Sequence, residues 1–275
     1  MKRFIKVLLP ILAIVIMCST MFFACSKTIA PQEGIEMLKA ACQKTLEAKQ
    51  YYVRCSEGTK EYTLNVWPDK AETEYNDLMC KFVETDNSNI LQPINNVYYF
   101  TSSLPASVKK EKNATLDQFK TAYFYTEKEN DKYVNKYTTN MTFEEFLASE
   151  HVKQYTVNAI VNSIININEN NADIISIIRV GNVTEYILKL KETISVDPNA
   201  KDLYEECKKN EKYGICIRIT DGLISKVSIT PLTNKNEIDN NEIPLFSHYI
   251  SYVGPNLTFF GENAVPHYDE WTCVD

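Results

Sequence analysis

The sequence has little glycine and little histidine, and it lacks the motifs that mark common enzyme classes. Seven glycines in 275 residues leave little material for the glycine-rich loops that hold nucleotide phosphates. No Gly-x-Ser-x-Gly, P-loop or His-Glu-x-x-His pattern occurs. The three histidines stand far apart, and neither Cys-x-x-Cys nor His-x-x-x-His is present. We therefore expect no metal and no cofactor, and we expect a protein that is not an enzyme.

An excess of basic residues is also missing. The formal net charge is −7, with 29 Lys and Arg against 36 Asp and Glu. This balance lacks the electrostatic footprint of a nucleic-acid-binding protein, so we expect no nucleic-acid partner. Tyrosine and phenylalanine, by contrast, are plentiful at 17 and 12 residues. Aromatic side chains favour β-strands, so the composition favours a β-rich fold.

The first 24 residues have the pattern of a secretory signal. Lys2, Arg3 and Lys6 are followed by an apolar run over residues 7–24, as in an exported precursor. The run ends in Phe-Phe-Ala-Cys-Ser-Lys around Cys25, which resembles the lipobox of bacterial lipoproteins. Cys18 is a poorer candidate because Met17 precedes it. An alternative is that residues 7–24 stay uncleaved as a membrane anchor, since about 18 apolar residues just suffice to span a bilayer.

The lipobox resemblance implies cleavage before Cys25 and attachment of diacylglycerol to its thiol, which supplies at least two acyl chains such as palmitate. Two or more acyl chains hold a protein stably at a membrane. We therefore expect a membrane partner through the N-terminal lipid, with the protein at the extracytoplasmic face of the bacterial cell membrane. The expected division of the chain is a signal peptide over 1–24, a lipidated tether over 25–30, one domain over 31–260 and an irregular tail over 261–275.

Hydrophobic spacing after residue 30 predicts two helices that precede strands. Ile35, Leu38, Cys42 and Leu46 recur at helical spacing behind Pro31. Thr142 and Glu145 form a capping-box pattern, and the helix that they open is expected to continue to about residue 165. A third, short helix is predicted after Asp197-Pro198.

Alternation with a period of two predicts antiparallel strands over the rest of the domain. It is clear in residues 51–56, where Tyr51, Val53 and Cys55 alternate with polar neighbours, and again in residues 213–230. Asp221-Gly222 lies at the centre of the second pattern and predicts a two-residue hairpin turn. The expected fold class is α+β with one long, curved antiparallel sheet.

The order of these elements resembles the LolA-like fold, including lipoproteins of the LppX and LprG type. The residues that carry the likeness are the strand over 183–190, the hairpin over 215–229 and the segment 248–254. The resemblance covers about residues 31–260 and implies a half-barrel with helices packed on its concave side. It also implies an apolar ligand, such as a lipid or an acyl chain, on the concave face.

The residues expected to line such a ligand cavity come from two strand regions and one helix region. They are Tyr62, Leu64, Val66, Phe143, Phe146, Tyr155, Ile215, Ile217 and Ile219. A second interpretation is that they form an ordinary filled core. Under that interpretation the protein is a cell-surface interaction or adhesion module without a ligand cavity, and exposed tyrosines are its contact surface.

Cysteine chemistry leaves two alternatives open. Six cysteines follow Cys25, and an even number outside the cytoplasm permits disulfides. Cys42 with Cys55, and Cys207 with Cys216, would each join a helix to the next strand. The other interpretation treats them as small buried hydrophobic residues. A cluster around His267, Asp269 and Glu270 is too isolated to support a catalytic role.

Overall fold

A computed structural model describes residues 26–66, 78–89, 94–101, 122–129, 132–138, 141–191, 212–252 and 272–273. Helix α1 spans Pro31–Leu46, α2 spans Phe143–Ala148 and α3 spans Val157–Asn162, with a 3₁₀ turn at Lys153–Tyr155 between the last two. The third predicted helix lies outside these residues.

Thirteen strands are present among the described residues, and they form one sheet. Their bounds are β1 Ser26–Thr28, β2 Tyr51–Glu57, β3 Lys60–Val66, β4 Leu78–Asp86, β5 Ile94–Thr101, β6 Ala122–Glu129, β7 Lys132–Thr138, β8 Ala172–Val180, β9 Val183–Leu190, β10 Tyr213–Thr220, β11 Leu223–Pro231, β12 Phe246–Ser251 and β13 Thr272–Cys273. The order across the sheet is β1-β8-β9-β10-β11-β12-β2-β3-β4-β5-β6-β7-β13. All neighbours are antiparallel except β13 and β7. The α+β class with a single long antiparallel sheet is confirmed.

The period-two alternation sorts side chains onto two faces of this sheet. Val53 and Cys55 are buried while Arg54 between them is exposed. Cross-strand partners share a face, and the register pairs Cys55 with His248 and Val227 with His248. We call the face that carries Val53, Cys55 and Val227 the inner face, and the opposite one the outer face. The helices contribute to the same buried cluster as the inner face.

Helix α1 packs on the inner face because its apolar positions fall on one side. Leu38 and Cys42 are buried and belong to the core. Gly34 allows the helix to approach the sheet closely, since a Cβ there would overlap the Ile177 side chain. The Tyr186 hydroxyl donates a hydrogen bond of 2.9 Å to the Gly34 carbonyl. The helix is thus held against β8 and β9 by both packing and a buried hydrogen bond.

The second predicted helix is wrong in its length. The capping box is present: the Thr142 hydroxyl accepts a bond from the Glu145 backbone, and the Glu145 carboxylate accepts one from the Thr142 backbone. However, α2 ends at Ala148 because Ser149 adopts an extended backbone. Thr156 is likewise extended and caps α3 through its side chain. Side chains that bond nearby backbone groups compete with helix continuation. The segment predicted as one helix therefore forms two short helices with a 3₁₀ turn between them.

Part of the segment over 25–30 that is expected to be a lipidated tether forms a strand. Ser26–Thr28 is strand β1, which pairs with the end of β8. Ile29 is buried, and its backbone N–H donates to the carbonyl of Ile177 at 3.2 Å. The chain is therefore bound to the sheet from Ser26 onward. In the tail expected to be irregular, Thr272–Cys273 forms β13 beside β7.

The predicted turn at Asp221-Gly222 is confirmed. Both residues have positive φ, 54° and 76°, as a primed two-residue turn requires. The turn is also fixed from outside, because Lys44 donates to the Asp221 carbonyl at 2.8 Å and Asn182 donates to its carboxylate at 2.6 Å.

We expect Gly222→Val to destabilise the protein by roughly 1–3 kcal/mol, because a β-branched side chain is strained at positive φ. The urea midpoint of residues 26–275 measures this loss. Gly222→Asn is the matched control, since asparagine tolerates the left-handed region and should lose much less. Equal midpoints for the valine variant and the parent would contradict this account of the turn.

Candidate functional site: a groove on the outer face of the sheet

The nine residues predicted to line a ligand cavity come together on the inner face. Leu64, Val66, Phe146, Tyr155, Ile215, Ile217 and Ile219 are all buried and belong to the hydrophobic core. Tyr62 and Phe143 are partly buried and pack against that core. All nine side chains therefore belong to the core or pack against it.

Aromatic rings occupy the space between the sheet and the 3₁₀ turn at this point. The Tyr62 and Tyr155 rings stack with centroids 4.3 Å apart, and the Phe82 and Tyr155 centroids are 5.2 Å apart. The ring centroids of Phe100 and Phe146 are 5.7 Å apart. Burial raises the pKa of the Tyr155 phenol. These contacts are those of a packed core.

The disulfide between Cys42 and Cys55 does not form in this structure. Both are buried free thiols, and so are Cys80 and Cys216. Cys207, the partner considered for Cys216, lies outside the described residues. Burial raises the pKa of the Cys42 thiol to about 12 and that of Cys216 to about 11. A thiol that stays protonated is a poor nucleophile, so these cysteines serve as small apolar core residues.

The histidines that the structure describes do not form a site together. His151 is exposed, and its ring centroid lies 5.3 Å from that of Tyr98. His248, by contrast, is buried on β12. His267, with Asp269 and Glu270, lies outside the described residues. Within the described part of the chain, no cluster of three or more His, Cys, Asp or Glu side chains could hold a metal ion.

A groove of about 570 Å³ lies on the other side of the sheet, against β2 and β12. Its lining combines serines, tyrosines, one arginine and a short apolar wall. The lining residues are Tyr52, Arg54, Ser56, Gly58, Ser225, Ile243, Pro244, Ser247, Tyr249, Ile250 and Ser251. A volume of this size lies within the range of about 300–1,000 Å³ that is typical of small-ligand sites.

The floor of the groove follows directly from strand register. On β12 and β2, Ser251 is opposite Tyr52, Tyr249 is opposite Arg54, and Ser247 is opposite Ser56. Opposed residues of an antiparallel pair project from the same face. Two strands with alternating polar positions therefore give a regular floor of hydroxyls and aromatic rings.

One wall of the groove is made by the loop between β11 and β12. The loop is held by a bridge between Leu232 and Ile238 and by a hydrogen bond from Asp239 to the Pro231 carbonyl at 2.9 Å. An ion pair between Lys212 and Glu242 at 2.6 Å ties it to the start of β10. Ile243 at its end is 83% exposed, which makes it the most exposed large apolar side chain of the described residues.

Arg54, the charged side chain of the groove lining, is paired with Glu61, whereas Lys226 beside the groove keeps its charge and lies over an aromatic ring. Arg54 donates to the Glu61 carboxylate at 2.6 Å, and this bond raises the pKa of the Arg54 guanidinium. The Lys226 ammonium lies 5.2 Å from the centre of the Tyr249 ring, a cation–π distance. The Tyr249 side chain is still 44% exposed. The groove thus offers hydroxyls and an aromatic surface without a strong net charge.

The strands of the groove floor have no free edge. β12 is paired with β11 and β2, and β2 is paired with β12 and β3. A peptide cannot add to these strands as a further strand, because their backbone groups are already bonded. Any ligand must therefore contact side chains.

Sequence reasoning missed this groove. The signal was available in the alternation itself, because Tyr52, Arg54 and Ser56 are the polar half of the pattern that places Val53 and Cys55 inside. Ser247, Tyr249 and Ser251 are the corresponding half around His248. The sequence does not indicate that β12 pairs with β2, which lies about 190 residues earlier. This pairing brings the polar residues of the two strands together.

The chain matches no family model and no curated protein sequence. None of the described helices is both long enough and apolar enough to cross a membrane. Cys25, the predicted lipid-attachment residue, immediately precedes the first described residue.

Proposed function

We propose that this chain is a lipid-anchored extracytoplasmic interaction module, with diacylglycerol on Cys25, whose ligand site is the outer-face groove. The observation that supports a ligand site at this position is the groove itself, which lies between Tyr249, Tyr52 and the exposed Ile243. The packed state of the inner-face residues favours this function over an inner ligand cavity. The anchor is supported by the signal and lipobox patterns of the first 25 residues.

The chemistry of the lining favours a neutral, hydroxyl-rich ligand, and saccharides are the class that fits best. Serine and tyrosine hydroxyls both donate and accept hydrogen bonds, as sugar hydroxyls require. An exposed tyrosine ring offers an apolar face together with a polar tip, which suits the C–H faces of a pyranose ring. An anion would have to compete with Glu61 for Arg54, and that pair is already bonded at 2.6 Å.

We expect residues 26–275 to bind neutral oligosaccharides with a dissociation constant on the order of 0.1 mM, since the groove contacts one face of a ligand. Calorimetric titration with tetramers of β-1,4-N-acetylglucosamine, cellulose and amylose measures this. Tyr249→Ala should weaken binding at least about tenfold, equivalent to about 1.4 kcal/mol. Tyr249→Phe keeps the ring and should retain most of the affinity. Absence of binding, or equal affinities of Tyr249→Ala and the parent, would overturn the groove as a saccharide site.

A second candidate is the binding of an apolar ligand, such as an acyl chain, by a LolA-like half-barrel with helices on its concave side. It is favoured by the convergence of the nine predicted residues on one face. The same preparation distinguishes the two candidates through a fluorescent fatty acid, cis-parinaric acid. Micromolar binding of this probe that survives Tyr249→Ala would support the inner-face ligand, and its absence would favour the groove alone.

A further inference from the structure

We propose that the sheet edge formed by β1 and the end of β8 lies on the membrane surface, with Ile178 and Val180 in the boundary between lipid headgroups and acyl chains. The inference rests on the proposed attachment of lipid at Cys25. It adds an orientation: the lipid bilayer is the partner of one defined edge of the protein.

The described chain is paired with the sheet from its first residue, Ser26. Ser26 is opposite Val180 and Thr28 is opposite Ile178 in the β1–β8 pair. Opposed Cα atoms of an antiparallel pair are about 4.5–5.5 Å apart, so Ser26 lies beside Val180, and Cys25 is the residue bonded to Ser26. A lipid on that residue therefore brings this edge to the headgroup region.

Two large apolar side chains are exposed beside that edge. Ile178 is 45% exposed and Val180 is 53% exposed. They are two residues apart on β8, so they project from the same face, while Ile177, which precedes them, projects from the opposite face and is buried in the core. At these positions β8 is bonded to β1 on one side and to β9 on the other, so the pair is an exposed apolar patch on the outer face, beside the edge strand β1. An apolar pair beside the anchoring residue fits a partner that is itself apolar.

The charges near this pair are compatible with a lipid surface. Glu185, which is opposite Ile178, is neutralised by Arg218 through bonds of 2.7 and 3.1 Å. Arg179 is exposed at the same edge, and its Nε donates to the Gly181 carbonyl at 3.3 Å. A long cationic side chain at the interface can reach lipid phosphates. The edge therefore combines an apolar pair with a cation, as interfacial segments do.

Two partly exposed side chains are too few to hold a protein at a membrane by themselves. The anchor changes this because it makes their contact with the bilayer intramolecular, at a high effective concentration. Their role is then to select one orientation among those that the anchor permits.

The test uses the full-length lipoprotein, purified with its lipid and reconstituted into phosphatidylcholine and phosphatidylglycerol vesicles that contain brominated acyl chains. Tryptophan is introduced as Ile178→Trp or Val180→Trp, and Asn170→Trp, in the turn that precedes the opposite end of β8, is the matched control. The contribution of Trp67 and Trp271 is removed by subtraction of the parent signal. Bromine should quench the tryptophan at 178 or 180 by about half or more and the one at 170 by less than about a tenth, since quenching requires insertion below the headgroups.

Mass spectrometry of the same samples separates the failure of this inference from the failure of the anchor. A lipid mass on Cys25 with equal quenching at 170 and 178 would overturn the orientation and leave the anchor intact. Absence of the lipid mass would overturn both. Shielding of the tryptophan at 178 that occurs without vesicles and grows with protein concentration would assign the edge to a second copy of the chain and overturn the membrane contact.

Discussion

Cys25→Ser is expected to abolish lipid attachment completely and to leave the precursor uncleaved. Cys25 is the one cysteine that combines a small preceding residue with the end of the apolar run, and serine offers no thiol for the diacylglycerol. Incorporation of labelled palmitate should fall to background in a host that processes lipoproteins. Intact mass should show all 275 residues without lipid.

Cys18→Ser is the matched control for this experiment, because it removes a thiol from the same apolar segment and should leave labelling unchanged. Labelling decides the outcome better than membrane fractionation does, since an uncleaved apolar segment of about 18 residues is itself long enough to stay in a bilayer. Labelled acyl chains on the Cys25→Ser protein would disprove the lipobox interpretation.

The parts of the fold that sequence reasoning predicted correctly are those with local signals. The turn at Asp221-Gly222 follows from two adjacent residues that tolerate positive φ. The cap of α2 follows from a hydroxyl and a carboxylate three residues apart. The burial of Ile215, Ile217 and Ile219 follows from alternation within one strand. In each case the physical cause lies within a few residues of its effect.

The parts that were missed depend on contacts between distant segments. β1 exists because Ser26–Thr28 meets the end of β8, more than 150 residues later, and three residues show no periodicity. The outer-face groove needs β12 beside β2 and a loop folded back on β11. Nothing in either strand alone specifies the neighbour, so its polar residues looked like an ordinary solvated face.

Residue His248 shows how such long-range pairing also produces acid sensitivity. It lies on the inner face between Val227 and Cys55, and its ring meets the edge of Phe246 at 4.6 Å. Its Nδ1 atom is buried and has no hydrogen-bond partner in the described part of the chain. Burial lowers the pKa of the imidazole to about 3. The folded protein therefore keeps this histidine neutral at pH 7 and in mildly acidic solution.

We expect the free energy of unfolding to fall by about 1.4 kcal/mol per pH unit below pH 6.5, because the unfolded chain takes up a proton there that the folded protein refuses. The free energy of unfolding falls because the pKa of His248 is lower in the folded protein than in the unfolded chain. This destabilisation is absent above pH 6.5 and grows as the pH falls towards 3.

His248→Leu removes the titrating group and an unpaired nitrogen, so the variant should equal or exceed the parent in stability at pH 7 and exceed it by about 2–3 kcal/mol at pH 4.5. Urea unfolding of residues 26–275 between pH 7 and pH 4.5 measures how the free energy of unfolding changes with pH in the variant and in the parent. His151→Gln changes an exposed histidine and is the control, which should show the same pH dependence as the parent. Parallel pH profiles for His248→Leu and the parent would show that His248 accepts a proton in the folded state and would refute its isolation in the core.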